Sequence, residues 1–132
     1  MLEQACWQYE RGEGRRKHCW DKDEAGFHSS LKGPIGKCHA SITNEIAVNL
    51  LRNGVIYTAP GSSFVEHVYA VYRGTIYEAA PTQLGKSFHG YPWRGDLGAG
   101  PLPPRILKKL RQLATQQECI EEFEQWLKTY GK

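Results

Sequence analysis

An imidazole and a carboxylate held on neighbouring strands can move protons, and the run HVYAVYRGTIYE over 67–78 offers such a pair in His67 and Glu78. Arg73-Gly74 reads as the two-residue turn of a β-hairpin. Folding the chain there pairs Tyr72 with Thr75, sets Val71 against Ile76 and Tyr69 against Glu78, and brings His67 opposite Ala80. Strand side chains alternate, so His67, Tyr69, Val71, Ile76 and Glu78 share one face. His67 and Glu78 then become diagonal neighbours, roughly 5–8 Å apart. A slip of one residue would undo the arrangement. The expectation is a polar sheet face that presents acid and imidazole side by side to solvent. Two chemistries fit it: acid–base work at a phosphodiester, or Glu78 orienting His67 while His67 activates a thiol. A surface pair at a sheet edge is the non-catalytic alternative.

Two further groups bear on that choice. Cys38 follows Gly36-Lys37 and precedes His39 and the helix cap Thr43. A helix N-terminus and nearby cations favour a thiolate, which would make Cys38 an alternative nucleophile, although five residues separate it from the cap. His89 lies in the run FHGYPW over 88–93, with Arg94 next. Tyr91 and Trp93 could stack a base there while Arg94 holds a phosphate, as single-strand binders do. A core-edge aromatic cluster under the last helices is the structural alternative. His18, Cys19, His28, Cys38 and His39 are numerous enough to hold a zinc ion, but their spacings match no standard metal motif, and neither a metal nor a cofactor is expected. The chain contains no P-loop, no G-x-S-x-G elbow and no H-E-x-x-H.

The elements that must position these groups are legible in part. Thr43, Glu45 and Gly54 mark the start and stop of a helix over 43–53, with Ile46, Ala47, Leu50 and Leu51 on its inner face. Strand-like runs cover 65–73, 75–80 and 87–91, and 55–58 adds a fourth. Residues 95–104 form a Gly/Pro connector. Pro103-Pro104 suits a helix start, and Ile106, Leu107, Leu110 and Leu113 recur at helical spacing. Thr115 and Glu118 read as a capping box, which predicts a break and a second helix over 116–130. Near the N-terminus, a short helix over 2–10 precedes irregular chain to residue 37, and Gly33-Pro34-Ile35-Gly36 reads as a turn.

Length and composition bound the reading. The 132 residues suffice for one domain with a core, organised as an irregular segment 1–37, a helix and antiparallel meander over 38–100, and C-terminal helices over 101–132. The fold class expected is α+β: a helix on a three- to four-stranded antiparallel sheet, with two C-terminal helices. No run is apolar enough for a membrane span, and the polar start carries no signal peptide. Cys6, Cys19, Cys38 and Cys119 are therefore expected as free thiols in a reducing, cytoplasmic setting. The net charge is +3, with basic clusters at Arg15, Arg16 and Lys17 and at Arg105, Lys108, Lys109 and Arg111. That mild excess gives weak support for a polyanionic partner such as RNA.

The order of elements, a helix and then a meander bearing Glu, His and Arg, resembles the barnase-like group of small RNases. Among these are toxin domains at the C-termini of bacterial polymorphic and contact-dependent inhibition proteins. The stretches Gly36-Lys37-Cys38, Ile42-Thr43 with Ala47, Leu50-Leu51 and Gly54, residues 77–82 and residues 89–92 carry the resemblance. It implies metal-independent RNA cleavage, with Glu78 as general base, His67 or His89 as general acid, and Arg73 or Arg94 as phosphate clamp. A cognate immunity protein and a cytoplasmic site of action, after delivery within a larger secreted protein, would accompany such an activity. Cys38, His67 and Glu78 occur in the order found in papain-like toxin and deamidase domains, which they resemble in that respect. A non-catalytic interaction domain, with Trp93 or Trp126 on its contact surface, completes the set of readings.

Overall fold

The computed structural model describes residues 4–9, 24–28, 35–39, 41–84, 86–96 and 100–131. The Arg15–Lys17 cluster, His18, Cys19, and Gly33-Pro34 of the expected turn lie outside the described residues. The architecture is α+β. Five strands, β1 (Gln8–Tyr9), β4 (Val55–Tyr57), β5 (His67–Tyr72), β6 (Thr75–Gln83) and β7 (Ser87–Pro92), form one sheet in the order β1-β7-β6-β5-β4. A separate antiparallel pair joins β2 (Gly26–His28) to β3 (Ile35–Lys37). Three helices complete the fold: α1 (Asn44–Arg52), α2 (Pro104–Gln116) and α3 (Ile120–Tyr130). No helix among the described residues is long and apolar enough to cross a membrane.

The meander β4-β5-β6-β7 is antiparallel throughout, and the expected hairpin register holds, with Tyr72 opposite Thr75, Val71 opposite Ile76 and Tyr69 opposite Glu78. Arg73 (φ 50°) and Gly74 (φ 83°) take the two left-handed turn positions that match the twist of a hairpin. The sheet departs from expectation at its other edge. There β1 pairs with β7 in parallel, Gln8 with Ser87 and Tyr9 with Phe88, so the sheet is mixed and five-stranded. The expected N-terminal helix is only a 3-10 turn, Gln4–Cys6. Long-range side-chain bonds hold this segment extended. Gln4 donates to the carbonyls of Leu51 and Gly54 at 3.1 and 3.0 Å, and Arg52 donates to the Trp7 carbonyl at 2.8 Å. The two Gln4 bonds add a side-chain donor to carbonyls at and just past the end of α1, and no local propensity encodes any of the three. Ile35 and Gly36, expected in a turn, belong to strand β3.

Each face of the sheet has its own core. On one side Val68 and Ala79 meet Leu51 of α1, and Trp7 packs on Phe88 with ring centroids 4.6 Å apart. Thr43 caps α1 as expected, its hydroxyl accepting from the Ile46 amide at 3.1 Å. On the other side Tyr69, Val71, Ile76 and Trp93 meet Ile106, Leu110 and Ala114 of α2 and Phe123 and Trp126 of α3. The break between these helices is present, but the capping box is not. Thr115 is inside α2 and bonds the Arg111 carbonyl at 3.0 Å. The chain turns at Glu118 (φ 59°) instead. The Glu118 amide bonds the Thr115 carbonyl, and the Cys119 amide bonds the Ala114 carbonyl. This is the crossed pair of a Schellman stop, with glutamate where glycine is usual.

Candidate active site on the helix-packed sheet face

Register and alternation lay out a grid on the face that carries α2 and α3. One row runs Val55–Tyr69–Glu78–Tyr91, each neighbour a cross-strand pair of β4, β5, β6 and β7. The next row, two residues further from the turn, begins Tyr57–His67 and ends Ala80–His89. His67 comes opposite Ala80 by one more step of the same ladder. The two histidines therefore flank Ala80 from adjacent strands. Strand spacing puts their backbones roughly 10 Å apart, and the Glu78 row roughly 7 Å away.

The inner row is closed at its centre, Tyr69 and Glu78. Glu78 is 1% exposed, and the Tyr69 hydroxyl donates to its Oε2 at 2.8 Å. Tyr91 hydrogen-bonds the same carboxyl group. Burial first, and the Glu78 charge second, push the Tyr69 and Tyr91 hydroxyls well above their ordinary value. Both phenols consequently remain protonated donors throughout the neutral range. The expectation of an acid open to solvent is corrected here: His67 and Glu78 share a face, but the carboxylate lies beneath two tyrosines. Their hydroxyls replace the water a buried carboxylate must otherwise keep.

The outer row is partly open. His67, Ala80 and His89 are all half-buried, as is Tyr91 at the rim of the inner row. The His67 ring lies nearly parallel to that of Tyr69, with centroids 6.1 Å apart. Its Nδ1 is buried without a hydrogen-bond partner among the described residues. The His89 Nδ1 is 2.9 Å from the Thr82 hydroxyl. Thr82 occupies an irregular step in β6, where pairing jumps between Pro81 and Gln83. Such a bulge re-aims a side chain at a sheet rim.

The structure gathers four of the expected residues, His67, Glu78, His89 and Tyr91, and separates the rest. Arg73 is exposed at the hairpin tip, its guanidinium over the Tyr72 ring at 5.6 Å, and five residues of strand carry it away from Glu78. Arg94 bonds Asp96 at 2.7 Å and lies over Phe27 and Tyr130, against α3. Trp93 is 2% exposed and donates to the Gly100 carbonyl, so it is core rather than a base-stacking platform. Trp126 is buried too, its indole donating to the Trp93 carbonyl, which removes both tryptophans from any contact surface.

Cys38 lies on the opposite side of the sheet. It lines a small cavity of about 40 Å³ with Ile42, Leu50, Val68 and Ala70, beside Tyr77. Val68 precedes Tyr69 and faces away from the His67 side; Glu78 reaches the lining of the Cys38 cavity but His67 does not, so the three groups do not meet as a triad. Among the described residues, none of Cys6, Cys38 and Cys119 forms a disulfide. Among the described residues no three His, Cys, Asp or Glu side chains cluster as metal ligands.

Tyr69, Tyr57 and Thr82 are the site residues that sequence reasoning passed over. The hairpin register places Tyr69 against Glu78, so the sequence does carry a signal for it. Thr82 depends on a bulge that no local signal announces. No family model matches this sequence, and neither a curated protein nor a solved structure matches it either.

Proposed function

We propose that this chain is a small ribonuclease that cleaves RNA by acid–base chemistry, with His67 and His89 as the proton-transfer pair. The observation that carries the reading is the placement of two half-buried imidazoles on either side of the small Ala80, His67 with a buried ring nitrogen that has no partner among the described residues. A phosphodiester seated over Ala80 would lie between them. One imidazole takes the proton of the ribose 2′-hydroxyl as that oxygen bonds to phosphorus. The other gives a proton to the departing 5′-oxygen as the P–O5′ bond breaks, leaving a cyclic phosphate. Both proton transfers then come from the protein, with no metal needed for either. Glu78 is a positioning residue rather than the base, because its lone pairs already serve Tyr69 and Tyr91. Tyr91, half-exposed and anchored from below, is the side chain best placed to meet a base or phosphate.

The toxin assignment, a cognate immunity protein as partner and a cytoplasmic site of action rest on the sequence resemblance. The cysteine-hydrolase reading loses its triad to the opposite placement of Cys38 and His67.

The test is incubation of the purified chain with single-stranded RNA in EDTA. Cleavage with a bell-shaped pH profile is expected. His67→Ala and His89→Ala should each lower the rate about 10²- to 10⁴-fold, and Cys38→Ala should leave it within about twofold. RNA that stays intact at high protein concentration overturns the proposal.

A further inference from the structure

We infer that the outer face of α2 is a binding track for the phosphate backbone of single-stranded RNA, extending the substrate contact beyond the site; this rests on the ribonuclease reading above. The helix divides cleanly by side. Ile106, Leu110 and Ala114 are buried against the sheet, while Arg105, Lys108, Lys109 and Gln112 are exposed. No carboxylate pairs with Arg105, Lys108 or Lys109 among the described residues. The fourth cation, Arg111, is held by Glu124 of α3 at 2.6 Å. Acids and bases are segregated between the two helices: α2 holds no Asp or Glu, whereas α3 exposes Glu121, Glu122 and Glu124. A solvated helix gains from opposite charges three or four residues apart, and α2 forgoes every such pair. Three unneutralised cations on adjacent turns suit a partner that brings its own regularly spaced negative charge.

Position supports the same partner. The inner side of α2 packs in the core that contains Tyr69 and takes in Val55 and Tyr57, the residues beside and within the grid of the candidate site. An RNA strand crossing that site meets α2 on the same side of the sheet. An acidic protein surface would also attract the cations, but it would have to avoid the glutamates of α3.

The experiment measures binding of a fluorescent single-stranded RNA oligonucleotide to the full chain carrying His67→Ala, over a range of salt. Neutralising three phosphate contacts should change the slope of log K against log salt by about 0.7 per contact. Adding Arg105→Ala, Lys108→Ala and Lys109→Ala should flatten the slope by about 2 and weaken binding about tenfold or more. Lys108→Arg with Lys109→Arg should keep both, provided that the folded circular dichroism spectrum is retained. An unchanged slope and affinity in the triple variant overturns the track, and so does loss of binding only to an acidic protein. The two proposals fail separately. RNA binding that depends on α2 without any cleavage by the wild-type chain leaves the track and removes the nuclease. Cleavage by a triple variant that binds RNA with the wild-type slope does the reverse.

Discussion

At the tip of the β5–β6 hairpin the backbone is pinned against α3. A Cβ built on Gly74 would stand 2.3 Å from the Glu122 Cβ and 2.9 Å from the Glu122 carbonyl carbon. The Gly74 backbone also hydrogen-bonds the buried Cys119 thiol, just past the Schellman stop. At the other end of the same strands, His67, Ala80 and His89 are half-buried, the middle residue is small, and the His67 Nδ1 has no partner among the described residues. The tip spends its contacts on fixing one arrangement, and the far end leaves one imidazole nitrogen uncommitted among the described residues. The two are linked, because the turn sets the β5–β6 register and a one-residue slip there would put His67 and His89 on opposite faces of the sheet.

The largest expected effect is at the tip. Gly74→Ala adds left-handed strain, about 1 kcal/mol, to a clash with α3 backbone, and should cost about 3 kcal/mol in urea unfolding. Gly61 is the comparison, since it has almost the same backbone (φ 83°) and nothing within 4 Å of its would-be Cβ. Gly61→Ala should cost only the strain, about 1 kcal/mol. Equal losses at the two glycines would break the claim that α3 packing holds the tip.

Between tip and open end lies the buried carboxylate. Tyr69→Phe removes its 2.8 Å hydrogen bond and should cost about 2 kcal/mol. The pH dependence has a definite sign. The Tyr69 and Tyr91 hydroxyls, and that of Tyr77 on the opposite face, are raised above their ordinary value of 10.0, chiefly by burial. The folded chain therefore holds phenol protons that the unfolded chain gives up. The stability they contribute is complete below about pH 10 and is lost as pH rises beyond it. Denaturation followed by tyrosinate absorbance should show a decline in stability above pH 10, shallower in Tyr69→Phe. Phenols that titrate normally in the folded protein would contradict the closed inner row.

The hairpin was legible because Arg73-Gly74 fixes a register and alternation does the rest; that alone put His67, Tyr69 and Glu78 on one face. Burial of Glu78 was not legible, since it depends on two phenols from different strands and on helices that begin 26 and 42 residues downstream. The arginines misled for a related reason. Sequence proximity to the strands says nothing about which end of a strand a side chain leaves from, and Arg73 and Arg94 leave elsewhere. The pairing of β1 with β7 spans about 80 residues through only two residue pairs, too few to leave a pattern.

The smallest expected effect tests the neighbour of the tip. Glu118 occupies the left-handed position of the Schellman stop, where a side chain is strained by about 1 kcal/mol relative to glycine. Its carboxylate lies near the start of α3, beside Glu121 and Glu122, which already supply the negative charge that the helix dipole favours. Losing a third acid there costs little, so strain relief should dominate. Glu118→Gly is expected to raise stability by roughly 0.5–1 kcal/mol, read as a higher urea midpoint at constant slope. Since the residue is exposed and far from His67 and His89, RNA cleavage should be unaltered. A lower midpoint would mean that the third carboxylate matters more than the backbone, and that the tip is held by charge as well as by packing.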